Sequence, residues 1–391
     1  MDSKIYEVLP NNPEQRRFLE LLAEETEINA WDNSFKPKTV NFSVPAYIQK
    51  DFEKLLTEQN LDFKLIIHDG QSEYNLGVQP QAAPSVPNGQ ISFDKYYRYS
   101  EIQDYLKHLS KTHPKYVHFE NYGLSYEKRN LSFVRISSGG SHHKPIIFID
   151  AGIHAREWIA PAMALYIIHQ LVENSENRYL INNVDWIIIP LANPDGYEYS
   201  HVKDRFWRKT RSRGKYYYGV DPNRNFDHKW NQIGSSNMEK SQIYAGLRPF
   251  SEPETNALSQ IILKHCNHIK LYLTMHSARK CLLYPYGCTK RPPRNVNELH
   301  TLAVEVGNMI EYVHGTKYNV GNAKTVLKPT SGTSHDWAYA VAGIELCYVL
   351  ELPGGGRKGF DLPDTEIMRV VEEVFAGIIA FHKYIENAFS I

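Results

Sequence analysis

The spacing of hydrophobic residues changes along the chain, and the first part mixes two kinds of pattern. Short strand-like runs, beginning with KIYEVLP from Lys4, alternate with stretches whose apolar residues recur at helical spacing, such as PEQRRFLELLAEE. Asn12 is placed to cap that helix, and Pro13 occupies the first helical position, where its missing N–H is not needed. The order of predicted elements is βαββαβ, a plan that closes a four-stranded antiparallel sheet under two helices.

A change in composition separates this part from the rest of the chain. Residues 70–90, GQSEYNLGVQPQAAPSVPNGQ, are rich in Pro, Gly and Gln and contain little that a core could bury. Such a segment is typical of a linker. We therefore divide the chain into a small domain at residues 1–69, a linker at residues 70–90 and a large domain at residues 91–391.

The large domain has a different pattern, in which strands that are apolar almost throughout alternate with amphipathic helices. The strands lie in the strings IIFIDAG, DWIIIPLAN, IKLYLTMHS and LCYVLELP. A strand that is apolar on both sides indicates a sheet covered by helices on both faces. The pattern predicts an α/β fold with a mixed, largely parallel sheet, and ligands of such sheets gather at the carboxyl ends of the strands.

Ionisable side chains stand at the ends of three of these strands. His154 and Glu157 are three residues apart at a strand-to-helix turn, His276 follows IKLYLTM, and Glu351 lies near the end of LCYVLEL. One histidine among 17 is usually a hydrogen-bonded or solvated residue. Together, however, His154, Glu157 and His276 form a His2Glu set of the kind that catalytic zinc sites use. Glu351 could then serve as general base to the attacking water.

Composition and charge narrow the class of partner. The 391 residues are 42% apolar and carry 44 basic against 44 acidic residues, so nothing in the overall charge recruits nucleic acid or an anionic membrane. Apolar runs stay below the roughly 18 residues that span a bilayer, and MDSKIYEVLP lacks the features of a signal peptide. We expect a small-molecule or peptide partner. The four cysteines have no CxxC spacing, and we expect buried thiols at Cys266, Cys281, Cys288 and Cys347.

Six strings of the large domain occur in a recognisable order: GIHAREW, RFWRKTRS, GVDPNRNFD, MHSARKCLLYPYG, SGTSHDWAYAVAGI and YVLELPGGGRKGF. Their order and spacing resemble those of the pancreatic-type zinc carboxypeptidases, the carboxypeptidase A and B family. Lys4 to about Asp69 is similar to the inhibitory propeptide domain of that family. The resemblance implies a secreted zinc exopeptidase made as a zymogen, with one Zn²⁺ per catalytic domain. Its partners would be peptide or protein C-termini as substrates and its own propeptide as inhibitor.

The resemblance also implies roles for individual residues. His154, Glu157 and His276 would hold the zinc ion. Glu351 would pass a proton from the attacking water to the leaving amine, and Arg208 would stabilise the developing oxyanion. The residues implied to contact substrate are Arg156, Arg205, Asn223, Arg224, Ser277, Lys328, His335 and Phe360. Among these, Asn223 and Arg224 would clamp the free carboxylate, which suits a guanidinium fork. Taken alone, the arginines of RKTRSRG would indicate only a solvated basic loop.

The chain departs from the family pattern at several positions. Lys328 stands where relatives carry a tyrosine that folds over the bound substrate, and Ala278 replaces another aromatic residue. We expect catalysis to survive with an altered lid, since the metal, base and clamp positions are intact. The positions of the usual family disulfide hold Tyr218 and Lys240, so we expect that bridge to be absent.

The residue at the floor of the specificity pocket is implied to be His335. Relatives that prefer apolar C-terminal residues place an aliphatic group there, and those that prefer Lys or Arg place an aspartate. Leu283, Gly287 and Val349 would supply apolar or uncrowded walls. We expect neutral or apolar residues to be released first, acidic residues second and basic residues last. The alternative is a His335 side chain that bonds its neighbour Asp336 and points away from the pocket.

Two other functions stay open on the sequence. Because Lys328 alters the lid, the chain could be a catalytically altered carboxypeptidase-like binding protein, although the zinc ligands and the base are present. Zinc hydrolysis of a different amide, such as a cell-wall peptide, is a second alternative that the propeptide-like domain argues against. The activating protease is not identified: Lys and Arg are absent between Lys64 and Lys95, so the cut comes from a protease of other specificity or from trypsin-like cleavage near those two lysines.

Overall fold

The chain folds around two β-sheets. The computed structural model describes residues 4–25, 29–32, 39–44, 48–67, 91–140, 144–356 and 358–390. The predicted linker at residues 70–90 lies outside these ranges. Within them, none of the helices combines the length and apolarity that crossing a membrane requires.

The small N-terminal domain has the predicted βαββαβ order. Its elements are β1 (Lys4–Leu9), α1 (Pro13–Glu25), β2 (Asn29–Asp32), β3 (Val40–Val44), α2 (Gln49–Glu58) and β4 (Asp62–Ile67). The strands pair antiparallel in the order β2-β3-β1-β4. Asn12 caps α1 as predicted, because its Oδ1 accepts the Gln15 N–H at 2.8 Å. Tyr6, Phe42 and Phe52 are buried between the sheet and the helices.

The large domain begins its regular structure at Tyr99. Its first elements are α3 (Tyr99–Thr112), β5 (Val117–Leu124), β6 (Asn130–Ile136), β7 (Ile146–Ala151), α4 (Ile159–Val172), β8 (Asp185–Ile189), α5 (Pro194–Val202) and α6 (Pro253–His265). The remaining elements are β9 (Ile269–Ser277), β10 (Cys281–Tyr284), α7 (Val296–His314), β11 (Asn319–Asn322), α8 (Ala323–Val326), α9 (Ser334–Ala340), β12 (Leu346–Leu352) and α10 (Asp364–Phe389).

The eight strands of the large domain form one mixed sheet in the order β11-β10-β12-β9-β7-β8-β6-β5. Its centre is parallel, since β12 pairs with β9, β9 with β7 and β7 with β8 in the same direction. Helices cover both faces, as the apolar strands predicted. Ile147 and Ile149 of β7 belong to a buried cluster with residues of α4, α7 and α10, whereas Phe148 packs with residues of α6 and α9.

The register of the central strands aligns the groups that the sequence singled out. Glu351 on β12 lies opposite His276 on β9, and Thr274 on β9 lies opposite Asp150 on β7. Because these strands run parallel, their carboxyl ends meet at one edge of the sheet. The turn that carries His154 starts at the same edge.

The carboxylate of Glu239 holds the loop that precedes Tyr218, one of the two positions of the family disulfide. Glu239 accepts the backbone N–H groups of Lys215, Tyr216 and Tyr217 at 2.9, 2.8 and 3.1 Å. These backbone hydrogen bonds, that of Tyr216 first, hold the pKa of the Glu239 carboxyl below its usual range. All four cysteines are free thiols; Cys281 and Cys347 are buried, as expected, while Cys266 and Cys288 are only partly buried.

We predict that Glu239→Ala loosens this loop without unfolding the protein. Amide hydrogen exchange of residues 214–219 should become faster, because three N–H groups lose their acceptor, while the melting temperature changes little. Glu305→Ala, at an exposed position of α7, is the control. Since the folded-state pKa is lowered, the effect should be present above the ordinary carboxyl pKa of about 4.3 and be lost only as the pH falls through the lower folded-state pKa. Unchanged exchange in Glu239→Ala would contradict the assignment.

Candidate active site

The turn between β7 and α4 brings two of the predicted metal ligands together. Gly152 begins the turn with φ +65°, and a Cβ there would lie 2.7 Å from a Leu191 carbon, so the tight turn requires glycine. The Glu157 N–H then donates to the His154 carbonyl at 3.3 Å. Both side chains are buried, with 4% of His154 and 3% of Glu157 exposed. The turn therefore points both side chains into the protein rather than into solvent.

His276, from the neighbouring strand β9, completes a compact set of three donors. Its Nδ1 lies 3.1 Å from His154 Nδ1 and 3.0 Å from Glu157 Oε2, and His154 Nδ1 lies 2.9 Å from Glu157 Oε1. Ligand atoms of a tetrahedral zinc ion with its usual bond lengths are about 3.3 Å apart. The donor set, its spacing and its burial therefore fit the zinc ion that the sequence predicted.

Neighbouring charges favour the carboxylate form that metal binding needs. Burial by itself would raise the pKa of Glu157, but His154 and His276 lower it, and the net pKa is well below the usual range. Burial and then the Arg208 guanidinium lower the pKa of His154, which favours the neutral imidazole. For His276, burial lowers the pKa but Glu157 raises it, and the net shift is upward. An ionised glutamate and a neutral imidazole are the forms that coordinate zinc.

Asp221 is a candidate site residue that the sequence analysis did not single out. It is fully buried, and its Oδ1 lies 3.1 Å from His154 Nε2 while its Oδ2 accepts from Arg208 Nη2 at 2.8 Å. Burial alone would raise the pKa of this carboxyl, but Arg208 and Arg224 hold it well below its usual range. A carboxylate behind a ligating histidine fixes the tautomer and orientation of the ring. Its position at the start of DPNRN was the signal that could have found it.

Glu351 and Arg208 lie beside the three donors. Glu351 is near the carboxyl end of β12, opposite His276, and burial raises its pKa against the lowering effect of His276. Arg208 Nη1 is 3.2 Å from His154 Nδ1 and 3.7 Å from Glu157 Oε1. The structure therefore brings a carboxyl group and a nearly buried cation next to the candidate metal site.

A second group of predicted residues forms a connected set on one side of the site. Arg205 donates to the carbonyls of Arg156 at 2.9 Å and Phe360 at 2.7 Å. The Arg205 guanidinium also lies 3.6 Å from the Trp158 ring centroid, and that of Arg156 lies 4.2 Å from the Phe360 ring centroid. Burial, followed by Arg208, lowers the pKa of Arg156 to about 9. Arg205 thus holds two segments of backbone in place.

The predicted carboxylate clamp lies in a short 3₁₀ turn, Pro222–Arg224. Arg224 donates through Nε to the Gly234 carbonyl at 2.7 Å and through Nη1 to the Asn223 carbonyl at 2.8 Å. The Asn223 side chain accepts the Ser334 N–H at 2.9 Å. The backbone at Gly332 approaches Arg224 closely, since a Cβ there would lie 2.4 Å from the Arg224 carbonyl oxygen. These bonds fix the turn against the start of α9.

The remaining predicted residues are distributed around the same region. Ser277 is buried at the end of β9, and its N–H donates to Glu157 Oε2 at 3.2 Å. Lys328 is exposed and follows α8. His335, with 3% exposure, has Nε2 3.1 Å from Asp336 Oδ1, and within the described ranges neither of its ring nitrogens meets hydrogen-bond geometry. Asp336 instead accepts the Gly287 N–H at 2.9 Å.

This combination of an α/β sheet, a buried His2Glu set and an adjacent carboxylate defines a mononuclear zinc hydrolase. Comparison with known families is more specific. The zinc carboxypeptidase family matches residues 102–377, and the carboxypeptidase activation peptide family matches residues 6–75. The chain belongs to the zinc carboxypeptidase family, with the activation peptide ahead of the catalytic domain. It is a zinc-dependent hydrolase of peptide bonds.

Individual relatives agree with the family assignment. Carboxypeptidase B of Astacus astacus is 39% identical over 304 residues, which cover 77% of this chain and all of that relative. Carboxypeptidase B of Rattus norvegicus is 33% identical over 396 residues, covering 98% of this chain and 93% of that relative. The crystal structure of carboxypeptidase A from Helicoverpa armigera superposes with a TM-score of 0.89 at 32% identity, covering 99% and 98% of the two chains. The resemblance, the fold class and the zinc cofactor expected from the sequence are confirmed.

Proposed function

We propose that this protein is a zymogen exopeptidase that releases single C-terminal residues, with Glu351 as general base. The observation that carries the proposal is the position of Glu351, opposite His276 in the register of β9 and β12 and beside the His2Glu set. Zinc, when bound, would polarise the scissile carbonyl and activate water. The raised pKa of Glu351 suits a group that takes a proton from water and delivers it to the leaving amine.

Arg208 is placed to stabilise negative charge that develops on the scissile oxygen. Its guanidinium is nearly buried and is held by two hydrogen bonds to Asp221, at 3.1 and 2.8 Å. A preorganised cation in a dry site costs no reorganisation when charge develops. The Asp221 carboxylate thus orients both the His154 ring and the Arg208 guanidinium.

Recognition of a free C-terminus is assigned to Asn223 and Arg224. A guanidinium pairs with a carboxylate through two parallel hydrogen bonds and stays charged at all working pH values. The bonds that fix the Pro222–Arg224 turn hold this fork at a set distance from the catalytic groups. An enzyme with such a clamp accepts only the last residue of a chain.

The pocket for the released side chain combines apolar walls with polar groups. Leu283 and Val349 are cross-strand neighbours in a small apolar cluster with Cys281 and Ala323. His335 adds a polar floor, and Lys328 adds a cation near the rim. We propose that apolar or neutral residues are preferred, that acidic residues come second, and that Lys and Arg are disfavoured by like charge. Relatives named carboxypeptidase A and carboxypeptidase B both match, so their names do not decide the preference.

We further propose that residues 1–69 inhibit the catalytic domain and that a protease without preference for basic residues removes them. Lys64 lies within β4 and pairs with Glu7 at 3.1 Å, while Lys95 pairs with Glu101 at 3.1 Å. Cleavage at either lysine requires local unfolding, because Tyr97, two residues beyond Lys95, is buried. We also propose that the protein is secreted as a zymogen.

Replacement of the base should separate metal binding from turnover. Glu351→Gln should bind zinc and substrate as wild type does, while kcat falls roughly 10²–10⁴-fold because the proton acceptor is lost. His276→Ala is the paired variant, and it should lose both zinc and activity. Glu305→Gln, at an exposed position, is the control for a charge-removing change. Near-wild-type turnover of Glu351→Gln at full zinc occupancy would contradict its role.

The residue preference can be measured on peptides that differ only at the C-terminus. We expect kcat/KM to be highest for Phe or Leu, lower for Glu and lowest for Lys. The ratio of Glu to Leu release measures how strongly the polar groups of the pocket favour an acidic side chain. His335→Ile and Lys328→Met should each lower that ratio. Fastest release of Lys, or a ratio unchanged in both variants, would overturn the proposed pocket.

Activation can be followed by limited proteolysis of the intact chain. Low concentrations of trypsin should activate it poorly, whereas a protease of broad specificity should release the catalytic domain and raise activity sharply. Asn88→Arg places a basic residue in the segment 70–90 and should make trypsin an efficient activator. Rapid trypsin activation of the wild-type chain, with products ending at Lys64 or Lys95, would contradict the proposal. So would an intact chain as active as the trimmed one.

A further inference from the structure

A chain of polar side chains runs from His276 into the interior, away from the metal site. Thr274 and His276 are two residues apart on β9 and therefore face the same side of the sheet. The Thr274 hydroxyl oxygen lies 3.2 Å from His276 Nε2. The same hydroxyl donates to Asp150 Oδ1 at 3.0 Å, from the position directly opposite on β7. Three side chains from two strands are thus connected in one line.

The chemistry of the three groups decides which atom donates in each of the two hydrogen bonds. His276 turns Nδ1 toward His154 and Glu157, so that nitrogen must be unprotonated to bind a metal ion. The proton of the neutral ring is then on Nε2, which donates to the Thr274 oxygen at 3.2 Å, the nearer of its two contacts, since Asn223 Nδ2 lies 3.5 Å away. Threonine has one hydroxyl hydrogen, and this hydrogen is directed at the Asp150 carboxylate. Each hydrogen bond in the line therefore favours the other.

The apolar surroundings of Asp150 and Thr274 argue against a purely structural role, because polar groups buried there destabilise the fold. Asp150 and Thr274 are fully buried, on the sheet face where Phe148, Tyr272 and Cys347 belong to an apolar cluster. A buried carboxylate and hydroxyl destabilise such a face unless each is bonded. Burial raises the pKa of Asp150 to about 6, with Tyr272 lowering it, so the group still carries a negative charge at neutral pH. Valine would pack at position 274 without that cost.

We propose that Asp150 and Thr274 are positioning residues for the metal site, holding His276 in the ring orientation and tautomer that bind zinc. The inference goes beyond the proposed catalytic roles because neither residue contacts substrate or the metal. The two histidines are supported differently: His154 bonds a carboxylate directly, through Asp221, whereas His276 reaches its carboxylate through a hydroxyl. Residues in this position behind metal ligands affect metal affinity by roughly 10- to 100-fold.

The test removes the hydroxyl and measures zinc binding directly, without enzyme activity. In Thr274→Val, the zinc dissociation constant from competition with a chelator should rise roughly 10- to 100-fold. Thr274→Ser, which keeps the hydroxyl, should restore affinity to within a few-fold of wild type. The visible absorption of the Co²⁺-substituted protein should differ between Thr274→Val and wild type, because it reports the geometry of the three ligands.

Thr316→Val is the matched control. Thr316 also donates its hydroxyl to a carboxylate, Glu373 Oε2 at 2.7 Å, but it lies in the loop between α7 and β11 and its partner lies on α10. This control should leave zinc affinity and the cobalt spectrum unchanged. A Thr274→Val protein with unchanged zinc affinity would overturn the proposal. Equal losses in Thr274→Val and Thr316→Val, or a fall in zinc affinity that Thr274→Ser does not restore, would also overturn it.

Asp150→Asn provides a second test that does not depend on the folding of Thr274→Val. Asparagine keeps an oxygen for the Thr274 hydroxyl but removes the charge, so zinc affinity should fall several-fold. The melting temperature of the metal-free protein is recorded in parallel to exclude general unfolding. Wild-type zinc affinity in Asp150→Asn would show that the carboxylate does not act on His276 and would contradict the proposal.

Discussion

Two imidazole nitrogens and a carboxylate are brought within hydrogen-bond distance of one another in a region that water hardly reaches, with separations of 2.9–3.1 Å. Lone pairs that face each other at this distance repel unless a cation or a proton lies between them. The rest of the large domain is arranged to keep these atoms together in spite of that repulsion. A divalent ion therefore contributes to the stability of the site as well as to its chemistry, since it binds only the folded arrangement.

The sheet positions some of the site residues, and the loops position the others. Parallel pairing of β7, β9 and β12 places His276 and Glu351 side by side, and the Thr274–Asp150 hydrogen bond adds a polar link between β9 and β7. The groups from the loops depend on Asp221 instead. Its carboxylate accepts the Asn223 N–H and bonds His154 and Arg208, so one side chain links a proposed metal ligand, the proposed oxyanion group and the proposed carboxylate clamp.

Much of this arrangement could be predicted from residue order, and the parts that could not have a physical reason. His154 and Glu157 are visible because their spacing is local and the strand before them is apolar. His276 and Glu351 are visible because parallel strands end at one edge of a sheet. Asp150 was hidden, since it lies inside an apolar run and its partner Thr274 becomes its neighbour only through strand register. For Asp221 the only signal was its position in DPNRN, since a long loop returns it to His154.

The hydrogen bonds of Glu239 and the free cysteines bear on how the protein can be produced. Three hydrogen bonds to a carboxylate hold the loop of residues 214–218, and all four cysteines are thiols. Formation of the native chain therefore involves no oxidation step and no reshuffling of cysteine pairs, which are slow events in disulfide-bonded proteins. Reducing agents, which open disulfide-bonded enzymes, have no disulfide to cleave among these four cysteines. A bacterial cytosol should accordingly serve as well as an oxidising compartment for producing it.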